Sequence, residues 1–348
     1  MKIALTYDLR NDPLYQKLSD EEAAEYDSID TINAIDSSLK EMGFETVRIG
    51  HIQNLVRALA AGERWDLVFN IAEGRNGRCR EAHIPALLDA YNIPYTFSDT
   101  LTLAVSMDKS LTKRIVQASG IKTAPFKVIE KKEDLLSVNL AYPLFAKPLL
   151  EGSSKGIHPQ SCIHTPEELE TVCLGLLDQF NQPVLVETFL PQREFTVGIV
   201  GTGSSAQVIG VMEIVSTIKS NVYTLATKKN YQNLVNYRVA NDEEAQEAAS
   251  AALAAYKALG CRDAARLDFR SDSNGVPQFM EINPLAGLHP VDSDLVILCR
   301  LLQIPYSTLI GCIVQSACKR IGITTQDNVQ KLLKLLEQSQ KDAPAFAD

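Results

Sequence analysis

Three oxygen ligands and one guanidinium group lie on two neighbouring stretches of extended sequence. Glu281 and Asn283 are two residues apart, as are Arg266 and Asp268, so each pair shares one face of a strand. Carboxylate and amide oxygens in small number suit Mg²⁺, which takes its other ligands from water and phosphates. The planar guanidinium of Arg266 suits a phosphoryl group. The pattern predicts a metal-phosphate site, with a hairpin of solvated polar residues as the alternative.

A lysine and a loop of small residues form a second pattern. Lys147 lies in the apolar strand pattern 144–148, where a buried ammonium group needs an anionic partner. Residues 151–156 then form a loop rich in glycine and serine, whose backbone N–H groups can approach phosphate oxygens. The loop lacks the P-loop pattern, and a solvated hairpin tip is the alternative. Together the lysine and the loop predict a site for nucleotide phosphates.

The elements that position these residues follow from the periodicity of apolar residues. Strand and helix patterns alternate through the first hundred residues, which indicates a parallel sheet covered by helices, the first of them over 23–42. Later strands read as antiparallel. We therefore predict an α/β protein of three domains: a doubly wound parallel N-terminal domain (1–107), a small central α+β domain (108–187) and a C-terminal α+β domain with a mainly antiparallel sheet (188–348).

Composition excludes several classes of function. The net charge of -9 and the lack of a basic stripe argue against nucleic-acid binding. No apolar run approaches the roughly 20 residues that span a bilayer, and the first strand begins at once, without the apolar region of a signal peptide. The seven cysteines are scattered, which predicts reduced thiols and no zinc site. We expect a cytoplasmic protein that does not associate with membranes.

The motifs, taken in order, resemble those of the ATP-grasp ligases and, within them, the D-alanine-D-alanine ligase family. Singly each motif is weak, but the ordered set is specific and spans nearly the whole chain. The matching segments are Met107-Asp108-Lys109, Ala146-Lys147-Pro148 with Glu151-Gly152-Ser153-Ser154, residues 184–190 with Glu194-Phe195-Thr196-Val197, Arg266-Leu267-Asp268, and Glu281-Ile282-Asn283-Pro284 with Gly287. The resemblance implies the ATP-grasp fold for the three predicted domains.

The resemblance also implies a nucleotide site. Lys109 and Lys147 would bind the phosphates of ATP, and the loop residues Glu151, Ser153 and Ser154 would lie over them. The base and the ribose would be held at the end of the central domain. Glu187, Phe189 and Leu190 would line the adenine pocket, with Glu194 at the ribose hydroxyls.

Metal-binding and catalytic roles follow from the same resemblance. Asp268, Glu281 and Asn283 would hold two Mg²⁺ ions, with Mn²⁺ as the alternative ion. Arg266 and the backbone at Gly287 would face the acyl phosphate, where preorganised donors have most effect. Two further residues match family positions: Lys228, which would reach the transferred phosphate, and Glu25, which would hold the amino group of the first amino acid. For Glu25 the alternative is an exposed acid in the first turn of the first helix.

The implied reaction has two steps. A substrate carboxylate attacks the γ-phosphate of ATP to form an acyl phosphate, and the amine of a second substrate then displaces phosphate to give an amide. The partners would be small amino acids or amines, and related ligases favour a homodimer.

Three departures from the family pattern bear on the substrate. Tyr7-Asp8-Leu9-Arg10 replaces a Gly-Gly-x-Ser motif, and Glu73 replaces the histidine of a His-Gly pair. Asp292 and Asp294 lie near the place of a Ser-Leu pair that grips the carboxylate of the second substrate, and His289 lies beside them. Because acids repel a carboxylate in a closed site, we predict an amine other than D-alanine, either cationic or larger.

Four alternatives stay open at this stage. Asp292 and Asp294 could cap the helix that starts near Asp294 and touch nothing else. The protein could be an authentic D-alanine-D-alanine ligase, or a carboxylate kinase that releases the acyl phosphate. A non-catalytic nucleotide-binding protein is disfavoured, because it would have no need for the metal-site residues.

Overall fold

The computed structural model describes residues 1–15, 18–19, 22–216, 235–325 and 334–335. Its first part is a parallel sheet of three strands in the order β2-β1-β3, and Tyr95 adds one isolated parallel bridge to Val68. The strands are β1 (Lys2–Thr6), β2 (Glu45–Gly50) and β3 (Leu67–Asn70). The helices are α1 (Ile29–Glu41), α2 (Ile52–Ala60), α3 (His83–Ala90) and α4 (Thr100–Ser106).

Alternation along β1 places helices on both faces of this sheet. Ile3 and Leu5 belong to the apolar core that contains α1, whereas Ala4 belongs to the core that contains α2 and α3. Successive side chains of a strand point to opposite faces, so one strand serves both cores. The doubly wound arrangement predicted from the sequence is therefore confirmed.

The predicted start of the first helix is wrong. Ser28 has an extended backbone, and its hydroxyl accepts a hydrogen bond from the backbone N–H of Thr31 at 3.4 Å, so it is the N-cap and α1 begins at Ile29. Residues 23–27 form turns before the helix. Glu25 consequently lies in a turn, not in the first turn of a helix.

The central part is a small antiparallel sheet of four strands in the order β4-β7-β5-β6. Helix α5 (Lys109–Ala118) precedes it, and α6 (Pro166–Phe180) packs on it through Leu169, Cys173 and Leu176. The strands are β4 (Phe126–Ile129), β5 (Leu144–Pro148), β6 (Cys162–Ile163) and β7 (Val184–Thr188).

The C-terminal part is an antiparallel sheet of five strands in the order β10-β9-β8-β11-β12. Its strands are β8 (Glu194–Val200), β9 (Gln207–Ser216), β10 (Val235–Val239), β11 (Ala264–Ser271) and β12 (Pro277–Asn283). Its helices are α7 (Glu243–Ala258), α8 (Asp294–Leu301) and α9 (Tyr306–Arg320).

Small residues let helices approach both faces of the five-stranded sheet. Alanines of α7, among them Ala248 and Ala252, pack on one face. On the other face a Cβ added to Gly198 would lie 2.9 Å from Leu295 Cδ1, a distance that real side chains do not reach. The helix–sheet distance at this point therefore requires glycine.

The first and third parts of the chain share one core, which joins Ile3 and Ile32 to Ile310 and Ile313 of α9. The domain boundaries at 107/108 and 187/188 stay predictions, because this core continues from one predicted domain into another. Within the described ranges no single helix is long and apolar enough to cross a membrane, and α8 with α9 meets that test only as a pair bent by 117°.

A buried ion pair also ties these parts together. The carboxylate of Asp263 is fully buried and accepts from Arg320 at the end of α9, with Nε at 3.1 Å and Nη2 at 2.7 Å. It also accepts the backbone N–H of Phe97 at 2.8 Å and the hydroxyl of Thr202 at 3.1 Å. Two distant segments and α9 thus converge on one carboxylate.

We expect Arg320→Met to lower the free energy of unfolding by about 3 kcal/mol, because it leaves the buried Asp263 carboxylate without its cation. Arg238→Met is the control: Arg238 also pairs with a carboxylate, that of Glu213, but its side chain is 65% exposed and its loss should cost less than about 1 kcal/mol. Urea denaturation of both variants measures the difference, and equal losses would contradict this account of Asp263.

Candidate active site

The hairpin of β11 and β12 brings the four residues of the first motif together. In its antiparallel register Asp268 lies opposite Glu281, and Arg266 lies opposite Asn283. Cross-strand neighbours share a face of the sheet, so all four side chains project on the same side. The sequence prediction of two adjacent strands is confirmed at this point.

Hydrogen bonds fix the Asp268 carboxylate within this group. Its Oδ1 accepts from Thr196 Oγ1 at 2.7 Å, and its Oδ2 accepts from Arg266 Nη2 at 2.9 Å and Asn283 Nδ2 at 3.3 Å. Arg266 Nη1 donates to Asp294 Oδ2 at 2.5 Å. The guanidinium is therefore held between two carboxylates, which fixes its plane.

The hairpin carries more negative than positive charge. Burial raises the pKa of Asp268, and Glu281 and Asp294 raise it further against the effect of Arg266. A cation beside these carboxylates would relieve this cost. Within the described residues no three His, Cys, Asp or Glu side chains are grouped to hold a metal ion. Two carboxylates and one amide fit Mg²⁺ that takes its remaining ligands from phosphate and water.

Lys109 and Lys147 approach the hairpin from the central part. Lys109 Nζ lies 3.5 Å from Glu281 Oε2 and donates a hydrogen bond to the carbonyl of Glu151. Lys147 Nζ lies 2.9 Å from Glu187 Oε1 in the buried sheet. Each of the two predicted phosphate lysines is thus paired with a carboxylate, Lys109 with that of Glu281 and Lys147 with that of Glu187.

Glu187 differs from the role that the family resemblance implies. Its second oxygen, Oε2, lies 2.8 Å from the ammonium group of Lys113, so both carboxylate oxygens are taken by lysines. Burial would raise the pKa of Glu187, but the two lysines lower it to about 2. Sequence reasoning missed Lys113, although its position four residues after Lys109 places both on one face of α5.

The predicted base and ribose residues lie where β7 runs into β8. Phe189 stacks at 6.4 Å from the ring of Phe145, and the guanidinium of Arg270 lies 5.4 Å from the Phe189 ring centroid. Arg270 also lies 3.5 Å from Glu194, a carboxyl whose pKa is raised by burial. Leu190, which follows Phe189 in the sequence, is buried. These residues form an apolar and aromatic edge with one acid beside it.

The loop after Lys147 has a strained backbone. Ser153 and Ser154 have φ angles of 50° and 59°, which non-glycine residues seldom adopt. Lys155 Nζ lies 3.3 Å from Glu151 Oε2, which holds the loop closed on itself. Two successive residues in this sparsely populated region are a form of backbone strain that often accompanies a functional loop.

Glu25 is buried and fully paired, so the alternative of an exposed acid is wrong. Its carboxylate accepts from Arg80 Nη2 at 3.1 Å, from Lys155 Nζ at 2.9 Å and from the backbone N–H of Gly152 at 3.1 Å. Burial would raise the pKa of Glu25, but Arg80 and Lys155 hold it below its usual value. Glu25 therefore joins the N-terminal part to the loop, and Arg80 and Lys155 are site residues that the sequence did not reveal.

The residues around helix α8 correct a second expectation. Asp294 pairs with Arg266 and therefore does more than cap a helix; the N-cap of α8 is Ser293. Asp292 is largely exposed, with its carboxylate 3.5 Å from His289 Nδ1. Because Arg266 offsets its charge, Asp294 repels an incoming carboxylate less than the sequence suggested.

Part of this set borders one cavity of about 600 Å³, whereas Lys147, Ser154, Glu187, Phe189, Leu190, Glu194 and Asp268 are not among the residues that line it. The predicted site residues that line it are Glu25, Glu73, Lys109, Glu151, Ser153, Arg266, Glu281, Asn283, Gly287, His289, Asp292 and Asp294. Asp27, Arg80 and Glu81 line it as well. Lys228 lies outside the residues that the structure describes.

Three acids on the N-terminal side of the cavity hold protons more tightly than usual. Burial raises the pKa of Glu81 to about 7 and that of Glu73 well above its ordinary value, with Glu25 adding to both. Burial also raises the pKa of Asp27 to about 7, against a hydrogen bond from Thr31 and the charge of Arg10, while Asp8 raises it. This side of the cavity gains negative charge as the pH passes 7.

We expect the free energy of unfolding of Asp27→Asn, compared with that of the wild type, to increase as the pH rises. The folded state keeps the Asp27 proton up to about pH 7, whereas the unfolded chain loses it near pH 4, so the wild type loses stability between these values. The difference in unfolding free energy between variant and wild type should grow by up to about 4 kcal/mol between pH 4 and pH 8. Urea denaturation at several pH values measures it. Asp30→Asn, at an exposed position in the first turn of α1, is the control for the substitution itself.

Comparison with known proteins supports a single family. The family model for the D-ala D-ala ligase C-terminus matches residues 115–315. The D-alanine-D-alanine ligase of Aquifex aeolicus is 33% identical over 263 residues, 75% of this chain and 86% of the relative. The D-alanine-D-alanine ligase of Pelotomaculum thermopropionicum is 31% identical over 310 residues, 85% of this chain and 93% of the relative.

Solved structures share the fold. The D-alanine-D-alanine ligase from Bacillus anthracis complexed with ATP superposes with a TM-score of 0.70 at 22% identity, covering 92% of this chain and 98% of that one. The VanG D-Ala:D-Ser ligase from Enterococcus faecalis superposes with a TM-score of 0.69 at 21% identity, covering 91% of this chain and 99% of that one. The predicted three-sheet α/β architecture is thus the ATP-grasp fold. From the family model and these identities, the chain belongs to the D-alanine-D-alanine ligase family and is an ATP-dependent C–N ligase.

Proposed function

We propose that this ligase forms an amide in the 600 Å³ cavity through an acyl phosphate, and that its amine substrate is a cationic or larger compound in place of D-alanine. One observation carries the proposal: a single cavity is lined by Lys109 and the hairpin residues Arg266, Glu281 and Asn283, and also by the acids Asp27, Glu73 and Glu81. Acids with raised pKa values favour a bound cation, because the cation removes the cost of their charge.

The nucleotide side would act mainly by positioning and by neutralising charge. Asp268, Glu281 and Asn283 would hold Mg²⁺, which when bound neutralises phosphate oxygens and aligns the transferred group. Lys109 and Lys147 would bind the phosphates. Arg266, fixed between two carboxylates, would present its guanidinium in one orientation to the developing charge, so little reorganisation is needed during the reaction.

The amine side differs from the family pattern at two places. Glu73 and Glu81 line the cavity and, within the described part of the chain, have no ion-pair partner, so they are available to a substrate ammonium group. Asp294 occupies one end of the Arg266 guanidinium and adds a carboxylate where the family binds the carboxylate of the second substrate. Because Arg266 offsets the charge of Asp294, the preference for an amine over a carboxylate rests mainly on Glu73 and Glu81.

Ligation of two D-alanine molecules is the second candidate, and the names of the relatives favour it. The predicted homodimer and the cytoplasmic location stay predictions. The reduced state of the seven cysteines also stays a prediction.

We expect Glu281→Gln to lower the rate of ADP formation by at least about 100-fold, because it removes one of the two carboxylates proposed to hold Mg²⁺. A Mg²⁺ titration of ADP release should also show that the variant needs more metal. The control is Glu247→Gln, a surface glutamate whose side chain is 49% exposed and which pairs only with Lys122 among the described contacts. Unchanged activity and unchanged Mg²⁺ dependence in the Glu281 variant would exclude this metal site.

The substrates can be identified by ADP release with Mg-ATP against a matrix of carboxylates and amines that includes D-alanine and L-amino acids, with the Glu281→Gln variant as the blank. We expect turnover that needs a particular carboxylate and a cationic or larger amine. Robust dipeptide formation from D-alanine alone would refute the altered amine pocket and leave the ligase chemistry intact. ADP formed without any amine, with the product trapped by hydroxylamine, would instead identify a carboxylate kinase.

A further inference from the structure

Lys113 is a completely buried lysine whose ammonium group is surrounded by acceptors. Nζ donates to Thr123 Oγ1 at 2.8 Å and to the carbonyl of Phe279 at 3.3 Å, and it forms an ion pair with Glu187 Oε2 at 2.8 Å. The Thr123 hydroxyl itself donates to the Phe279 carbonyl at 2.7 Å, so it can only accept from Lys113. Two hydrogen-bond acceptors and one carboxylate thus surround the Lys113 ammonium group, an environment that suits the charged form of the amine.

The charge of Lys113 changes what Lys147 can offer to a phosphate. Glu187 is shared between the two lysines, so the group of three carries one net positive charge. Without Lys113, Glu187 and Lys147 would form a neutral pair in the buried sheet, with little charge left for an anion. The centroid of the Phe126 ring lies 5.8 Å from Lys113 Nζ, and this cation–π contact also favours the charged form of the lysine.

Lys113 also fixes the distance between the two halves of the nucleotide site. It lies on α5, one turn after Lys109, and contacts β7 through Glu187. Through Phe279 it contacts β12, two residues before Glu281 on the same strand. The buried ammonium group is therefore linked to Lys147 through Glu187 and to the strand that carries Glu281 through the Phe279 carbonyl.

We propose that Lys113 is a positioning residue for phosphate binding: without touching the nucleotide, it leaves Lys147 its positive charge and sets the position of that charge relative to the hairpin. This inference rests on the use of ATP by the family and does not depend on the identity of the amine. It can therefore fail or succeed independently of the altered amine pocket.

The test compares two ligands, a non-hydrolysable ATP analogue (AMP-PNP) and adenosine, by calorimetric titration in the presence of Mg²⁺. In Lys113→Met we expect AMP-PNP to bind at least about tenfold more weakly, because charge-assisted contacts to the phosphates are lost. Adenosine should bind within about twofold of the wild type, since it carries no phosphate. Lys122→Met is the matched control, because Lys122 is a surface lysine whose side chain is 58% exposed. This variant should change the binding of neither ligand.

Lys113→Met could unfold the protein, because it leaves one oxygen of the buried Glu187 carboxylate without a lysine. The test is therefore repeated in the Glu187→Gln variant. In the Glu187→Gln variant there is no carboxylate for Lys113 to neutralise. Adding Lys113→Met to it should therefore weaken the binding of AMP-PNP by no more than about threefold. Thermal unfolding of each variant shows whether it is folded. Equal weakening of AMP-PNP and adenosine, unchanged AMP-PNP binding in Lys113→Met, or a full tenfold loss in the Glu187→Gln background would each overturn the proposal.

Discussion

The active site depends on one constraint: a carboxylate that leaves water must be paired with a cation or keep its proton. The register of β11 and β12 places Asp268 opposite Glu281, and this close pair persists beside Arg266 and Lys109. Glu187 meets the same requirement by binding two lysines. The proposed nucleotide side is therefore a balanced set of charges, in which Lys109, Lys147 and Arg266 would face phosphate while the buried Lys113 pairs with Glu187 without reaching it.

The amino-substrate side follows the same rule with a different outcome. Glu25 is neutralised by Arg80 and Lys155 and thereby ties a turn before α1 to the loop after β5. Glu73 and Glu81 keep their protons to unusually high pH instead. Paired acids hold this side of the cavity together, whereas acids with raised pKa values are the ones that a cationic group can stabilise. All three residues are glutamates, so the difference between Glu25 and the pair Glu73 and Glu81 comes from the groups around them and not from residue type.

Family membership and substrate preference rest on different parts of the chain. The residues shared with the family, from Lys109 and Lys147 to the β11–β12 hairpin, are the ones proposed to bind the nucleotide. The departures at Glu73 and Asp294 border the same cavity as Lys109 and Glu281 and are proposed to face the amine. Asp294 also shows the limit of reading charge from sequence, because its pairing with Arg266 offsets much of the repulsion expected from a free acid.

The sequence alone determined the order of the elements, the fold class and the hairpin with its four polar residues, because these depend on local periodicity and on spacings of two along a strand. It placed the start of α1 wrongly, because the apolar pattern continues through residues 23–28 while the capping hydrogen bond at Ser28 decides the boundary. Only the tertiary structure decided which charges are paired. Lys155 meets Glu25 across 130 residues of sequence, and Lys113 meets the Phe279 carbonyl across 166. Such contacts leave no local pattern, since they arise when separate sheets pack and buried groups must find partners wherever the fold brings them together.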